Sequence, residues 1–187
     1  MSPDPHVLTD PQAHLLAAPE RLDYYDRQSI TLPEGVTPLQ AWNLIRAQPQ
    51  PVLRLAFRIR DAVSARFGVK RIGGFGTDMA GSVRAGDRLD FFLVEHAAPG
   101  ILVLTERDRH LDVMTCISAE GPDLAVTSSV ITHNRFGRAY MLVVGPVHRL
   151  IVRAMLRRLR RQMQAVGAAP EQRFNRIIVI NIIIQQK

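Results

Sequence analysis

The sequence predicts an α+β domain in which a curved antiparallel sheet wraps around one long C-terminal helix. Three observations lead there. Four strand-like segments follow one another between Arg88 and Thr132, with connections short enough for hairpins. A long apolar and arginine-rich stretch with helical spacing comes after them. Wrapping the sheet on that helix buries the apolar faces of both.

The elements can be justified in order. Residues 1–22 are rich in proline and polar groups and read as a flexible N-terminal arm. Asp23–Leu32 reads as a first strand, closed by the turn signal Pro33-Glu34-Gly35. Thr37-Pro38 is an N-cap followed by proline at the first helical position, and the helix would turn Leu39, Trp42, Leu44 and Ile45 inward. Pro49-Gln50-Pro51 breaks it. A second helix carries Val52, Leu55, Ala56, Ile59, Val63 and Phe67 at intervals of three and four, and Gly68 ends it. Residues 69–87 hold five glycines and read as loop.

The strands of the meander are predicted at Arg88–Glu95, Ile101–Glu106, His110–Ser118 and Leu124–Thr132. Asn134 suits an Asx-type turn or a cap for the next helix. Proline is best tolerated in a first helical turn, so Pro146 places the start of the main helix near Gly145. From there it runs about twenty residues to Gly167, roughly 30 Å. The domain proper is thus residues 23–167, with an atypical tail at 168–187.

Composition narrows the class. The chain has 187 residues, 47% of them hydrophobic, which suits one globular domain without disulfides. Cys116 is the only cysteine. The start has neither the basic segment nor the apolar run of a signal peptide, and no apolar run approaches the roughly 20 residues of a membrane span. The expectation is a cytoplasmic protein. The net charge of +7 is carried almost wholly by arginine, since Lys70 and Lys187 are the only lysines.

His110-Leu111-Asp112, the run Ser129-Val130-Ile131-Thr132-His133-Asn134-Arg135-Phe136-Gly137-Arg138-Ala139-Tyr140 and Pro146-Val147-His148-Arg149-Leu150-Ile151-Val152-Arg153 resemble a bacterial family, domain of unknown function 2867. The resemblance spans roughly Asp23 to Arg160. It implies kinship with the START and Bet v 1-like (SRPBCC) helix-grip superfamily, whose sheet and helix usually enclose an apolar cavity. Family members often continue the first motif with phenylalanine and arginine, where this chain has Val113-Met114. A role for that arginine does not carry over.

Several residues could carry chemistry. His110 and Asp112 lie two apart on a predicted strand and share a face, so the carboxylate could orient an imidazole base. The competing reading is a structural polar pair near the strand's start. His133 could reach a cavity mouth or help to build a turn. His148 falls in the buried stripe of the helix or on its rim. No spacing among these histidines and Cys116 matches a metal site. Gly73-Gly74-Phe75-Gly76 lacks the strand before and helix after it that a nucleotide fingerprint needs, and reads better as a loop over a cavity entrance. Arg149, Arg153, Arg157, Arg160 and Arg161 share one sector of the long helix, opposite Val152, Met155, Leu159 and Met163. Ile177 to Ile184 is a strong β former in an isoleucine-rich tail, either a native strand or a frameshifted end.

The sequence therefore points to binding of a small hydrophobic or amphipathic ligand in a cavity lined by Phe91, Phe92, Met114, Ile131, Tyr140, Val152, Met155 and Leu159, with His110, Asp112 and His133 orienting its polar end. The alternatives are an enzyme using His110 and Asp112 for proton transfer, or an interaction module using the arginine face. No cofactor, metal or specific nucleic acid is expected. An anionic membrane surface and a homodimer stay open as partners.

Overall fold

The computed structural model describes residues 13–47 and 80–167. The expected second helix, the Gly73–Gly76 loop and the isoleucine-rich tail lie outside the described residues.

Strand β1 (Tyr24–Thr31) is followed by helix α1 (Pro38–Arg46), then by strands β2 (Arg88–Leu89), β3 (Phe92–Ala98), β4 (Ile101–Arg107), β5 (Leu111–Glu120) and β6 (Asp123–Thr132), and by helix α2 (Arg135–Gly167). The described strands form one six-stranded sheet in the order β1-β6-β5-β4-β3-β2, antiparallel throughout. This is the α+β sheet-and-helix arrangement that the sequence predicts, and it is consistent with a helix-grip fold.

Local chemistry sets the boundaries. Thr37 and Gln40 form a reciprocal capping box at the start of α1: the Gln40 amide donates to Thr37 Oγ1 at 3.2 Å, and the Thr37 amide to Gln40 Oε1 at 2.8 Å. Pro38, Ala41, Trp42 and Ile45 are buried. Leu44, expected inside, is exposed, because it stands about 100° around the helix from Ile45. The first predicted strand of the meander splits at Asp90, whose φ of 59° breaks the ladder. Aspartate tolerates that left-handed backbone, and Arg46 at the end of α1 meets its carboxylate at 2.8 Å, both side chains buried.

Helix α2 starts ten residues before the predicted point. Asn134 is its cap, with Oδ1 accepting from the Gly137 amide at 3.0 Å. Pro146 is therefore inside the helix. The reason it is tolerated is its position: Pro146 and Leu142 both face solvent, where water can serve the carbonyl that proline's missing N–H leaves unpaired. At 33 residues, α2 is roughly 50 Å long.

One face of the sheet meets α2. Leu102 and Leu104 of β4, Ile117 of β5 and Leu124 and Val126 of β6 join Trp42, Leu156 and Leu159 in one hydrophobic core. Leu159 is completely buried. The opposite face is buried too, at Val103, Thr105, Cys116, Thr127 and Ser129. Part of its cover comes from the supposed arm. The Leu16 amide donates to Ser129 Oγ at 3.2 Å, and His14 stacks on His96 with ring centroids 5.8 Å apart. The arm thus touches the sheet at His14 and Leu16.

Candidate ligand groove along the long helix

The residues expected to line one cavity are dispersed. Leu159 is in the core, with Val152 and Met155 packed against it. Phe92 meets the edge of Trp42 at 5.8 Å and lies 4.2 Å from Phe91, at the corner between α1 and β3. Met114 and Ile131 are on the sheet face turned away from α2. Met114 pairs with Thr105 and Ser129, whereas Ile117, three residues on, points into the core. Tyr140 stacks on Phe136 at 6.3 Å, and Phe136 tilts onto His110 at 4.7 Å. Alternation placed Met114 and Ile131 on a common face, but nothing local says which face the helix covers.

The expected catalytic pairing is also re-sorted. His110 lies in the turn ahead of β5, where Asp108 Oδ1 accepts from the amides of His110 and Leu111. The His110 ring contacts the Asn134 side chain at 3.0–3.2 Å through Nδ1, while Nε2 accepts from Arg109 Nε at 2.9 Å. Asp112 instead meets His133, Oδ1 to Nε2 at 3.0 Å. That pair could orient an imidazole, yet it lines neither of the two recesses described below. Among those residues, no three His, Cys, Asp or Glu side chains converge on a point where a metal could sit.

A different constellation lies where β1 passes under α2. Tyr24, Asp26 and Gln28 alternate onto the helix-facing side of β1. Tyr24 Oη donates to the Gly145 carbonyl at 3.1 Å. Arg149 Nε donates to Asp26 Oδ1 at 2.8 Å, and Gln28 Nε2 reaches both Asp26 Oδ2 and the Arg149 carbonyl at 2.8 Å. His148 presents its ring at 90° to Tyr24 with centroids 6.2 Å apart, and its buried Nδ1 has no hydrogen-bond partner among the described residues. Gly145 permits this contact: a Cβ there would come within 2.9 Å of the Tyr24 ring.

The electrostatics follow from burial. Desolvation, reinforced by Asp26, pushes the Tyr24 phenol up to about 12. Burial lowers His148 below the usual histidine range, against a weaker upward pull from Asp26. The sign of the pH effect is fixed. Above pH ~6.5 the imidazole is neutral in both folded and unfolded chains, and below it only the unfolded chain takes up the proton readily. Stability at pH 5 is therefore expected to fall below that at pH 7. Urea titrations should show the decline, and His148→Phe should make it shallower.

Beside this constellation runs an open groove of about 680 Å³. Tyr24, Met141, Leu142, Pro146 and Leu150 supply its apolar surface, and Arg138 and Arg149 its positive charge. Asp23 and Thr132 close one end; the Thr132 amide donates to Asp23 Oδ2 at 2.7 Å and its hydroxyl to the same oxygen at 2.9 Å. The amide bond above all, with the hydroxyl, Arg138 and His133 adding to it, holds the Asp23 carboxyl below its ordinary value despite some desolvation. A second recess of about 620 Å³, between Arg27, Glu120, Asp123 and Arg160, is mainly polar. The signal that could have found the first site was the alternation of Tyr24, Asp26 and Gln28 with Ile30: a carboxylate on the core-facing side of a strand requires a cation from elsewhere.

No curated protein and no solved structure matches the chain. Residues 18–155, from just ahead of β1 through the sheet and most of α2, match the family described as "Protein of unknown function (DUF2867)". That span contains every described strand and every residue of the groove, and on it the chain belongs to the DUF2867 family.

Proposed function

We propose that the domain binds a small amphipathic molecule with an anionic head, and that the ligand lies in the groove between β1 and the N-terminal half of α2. The observation that carries this reading is the groove's composition. Apolar walls run along one helix flank, and two guanidinium groups stand at the rim. Its volume of about 680 Å³ falls within the roughly 300–1,000 Å³ usual for small-molecule sites. Arg149 engages Asp26 through Nε, and a guanidinium carries further N–H donors for a carboxylate or phosphate. The helix-grip kinship with START and Bet v 1-like proteins belongs to the same proposal, with the ligand on the helix flank instead of in the interior.

A fluorescent twelve-carbon fatty acid, used below its micellar concentration, tests it. Binding in the tens of micromolar is expected, about 6 kcal/mol, as suits an open site. Leu150→Glu and Arg138→Glu should each weaken it at least tenfold, and the uncharged alcohol of equal length should bind less well. Equal affinity in wild type and both variants would remove the groove from consideration.

A further inference from the structure

The outward side of α2 changes character halfway along. Leu142, Val143, Val147 and Leu150 are large apolar groups exposed by 78%, 69%, 44% and 65%. With exposed Ala139 and Pro146 they form one continuous apolar stretch. At 100° per residue, Arg153, Arg157, Arg160 and Arg161 continue the same side toward the C-terminus, and all are exposed. The whole helix, Arg135–Gly167, carries eight arginines and no acidic residue. Contiguous exposed apolar surface on a folded domain marks a docking site.

We infer that this face docks the domain on an anionic lipid surface, the apolar half entering the headgroup layer and the arginine half lying along the lipid phosphates. A basic amphipathic helix with an apolar segment binds such an interface by both contributions at once. By length and composition, Arg135–Ala165 is also capable of crossing a membrane, contrary to what its interrupted apolar runs suggest in the sequence. Here it is committed to the sheet instead: Leu156 and Leu159 are in the core, and Arg149 holds Asp26. It therefore lies along the surface. A second copy is a poor occupant, because an antiparallel pair would bury arginines against apolar groups with no carboxylate on either helix. Nucleic acid would leave the apolar half unused.

Vesicle co-sedimentation of the full chain tests the inference independently of the groove, because Val143, Val147, Arg153 and Arg157 do not line it. Vesicles of phosphatidylcholine with 30 mol% phosphatidylglycerol should retain the protein, and pure phosphatidylcholine should not. Val143→Glu/Val147→Glu and Arg153→Glu/Arg157→Glu should each cut binding about tenfold or more, with circular dichroism unchanged. The inference is overturned by equal retention on both vesicle types, by no retention, or by unaltered binding of either double variant. It is equally overturned by a dimer that the valine variant dissolves, by DNA binding without vesicle binding, or by a photo-crosslinker at position 147 capturing residues 174–187 of its own chain in lipid-free protein.

Discussion

Leu159→Asp is expected to abolish cooperative unfolding, while Arg157→Asp leaves the melting temperature within a few degrees of wild type. The two positions are half a turn apart on α2. Leu159 has no exposed surface and packs with Leu156 on the strands' core face. A carboxylate there has no partner, so the substitution combines the loss of a buried leucine, ~2–5 kcal/mol, with the cost of desolvating a polar group. That sum rivals the whole stability of a domain this size, about 5–15 kcal/mol. Arg157 points to solvent, where substitutions usually stay within ~0.5 kcal/mol. Thermal melts followed by circular dichroism decide it, and equal effects would mean that the buried side of α2 is wrongly assigned.

Gly137→Ala is expected to destabilise the domain by ~2–3 kcal/mol, although alanine is the better helix former by about 1 kcal/mol. The first turn of α2 lies directly against the chain ahead of β5. A Cβ at position 137 would collide with the His110 carbonyl oxygen and stand 3.2 Å from Thr132 Cβ. That carbonyl cannot easily retreat, because it accepts from the His133 amide at 2.8 Å. Gly81→Ala is the control: nothing lies within 4 Å of a Cβ there, so its effect should be small. Denaturant titrations of the two variants measure the difference, and a stabilised Gly137→Ala protein would contradict the close approach.

What the sequence disclosed was local. Thr37 and Gln40 signal a helix start because the residues that satisfy the cap are three apart. Asn134 suits a turn or a cap, but the sequence places the helix start at Gly145 and not here. The meander is legible because each strand pairs with its neighbour in the chain, and the buried side of α2 because Val152, Met155, Leu159 and Met163 recur at helical spacing. What stayed hidden depends on partners far along the chain. Nothing near Asp26 announces Arg149, and nothing near Asp112 says that it turns to His133 and not to His110. Pro146 misplaced the helix start because the rule against internal proline presumes a carbonyl shut off from water. Met114 and Ile131 missed the groove because strand alternation separates two faces without naming the one that a helix will cover.

Among the described residues, strand β1 pairs only with β6, and Asp23 reaches Thr132 across 109 residues of chain. At ribosomal speeds of roughly 5–20 residues per second, β1 waits on the order of ten seconds before its partner strand exists. Strands β2–β5 can pair meanwhile as neighbouring hairpins, which close quickly. Until β6 and then α2 emerge, Tyr24 and Asp26 have nothing to bind, and the nascent strand presents a bare edge to whatever is nearby. The same contacts that build the groove thus make closure of the sheet a late event in biosynthesis.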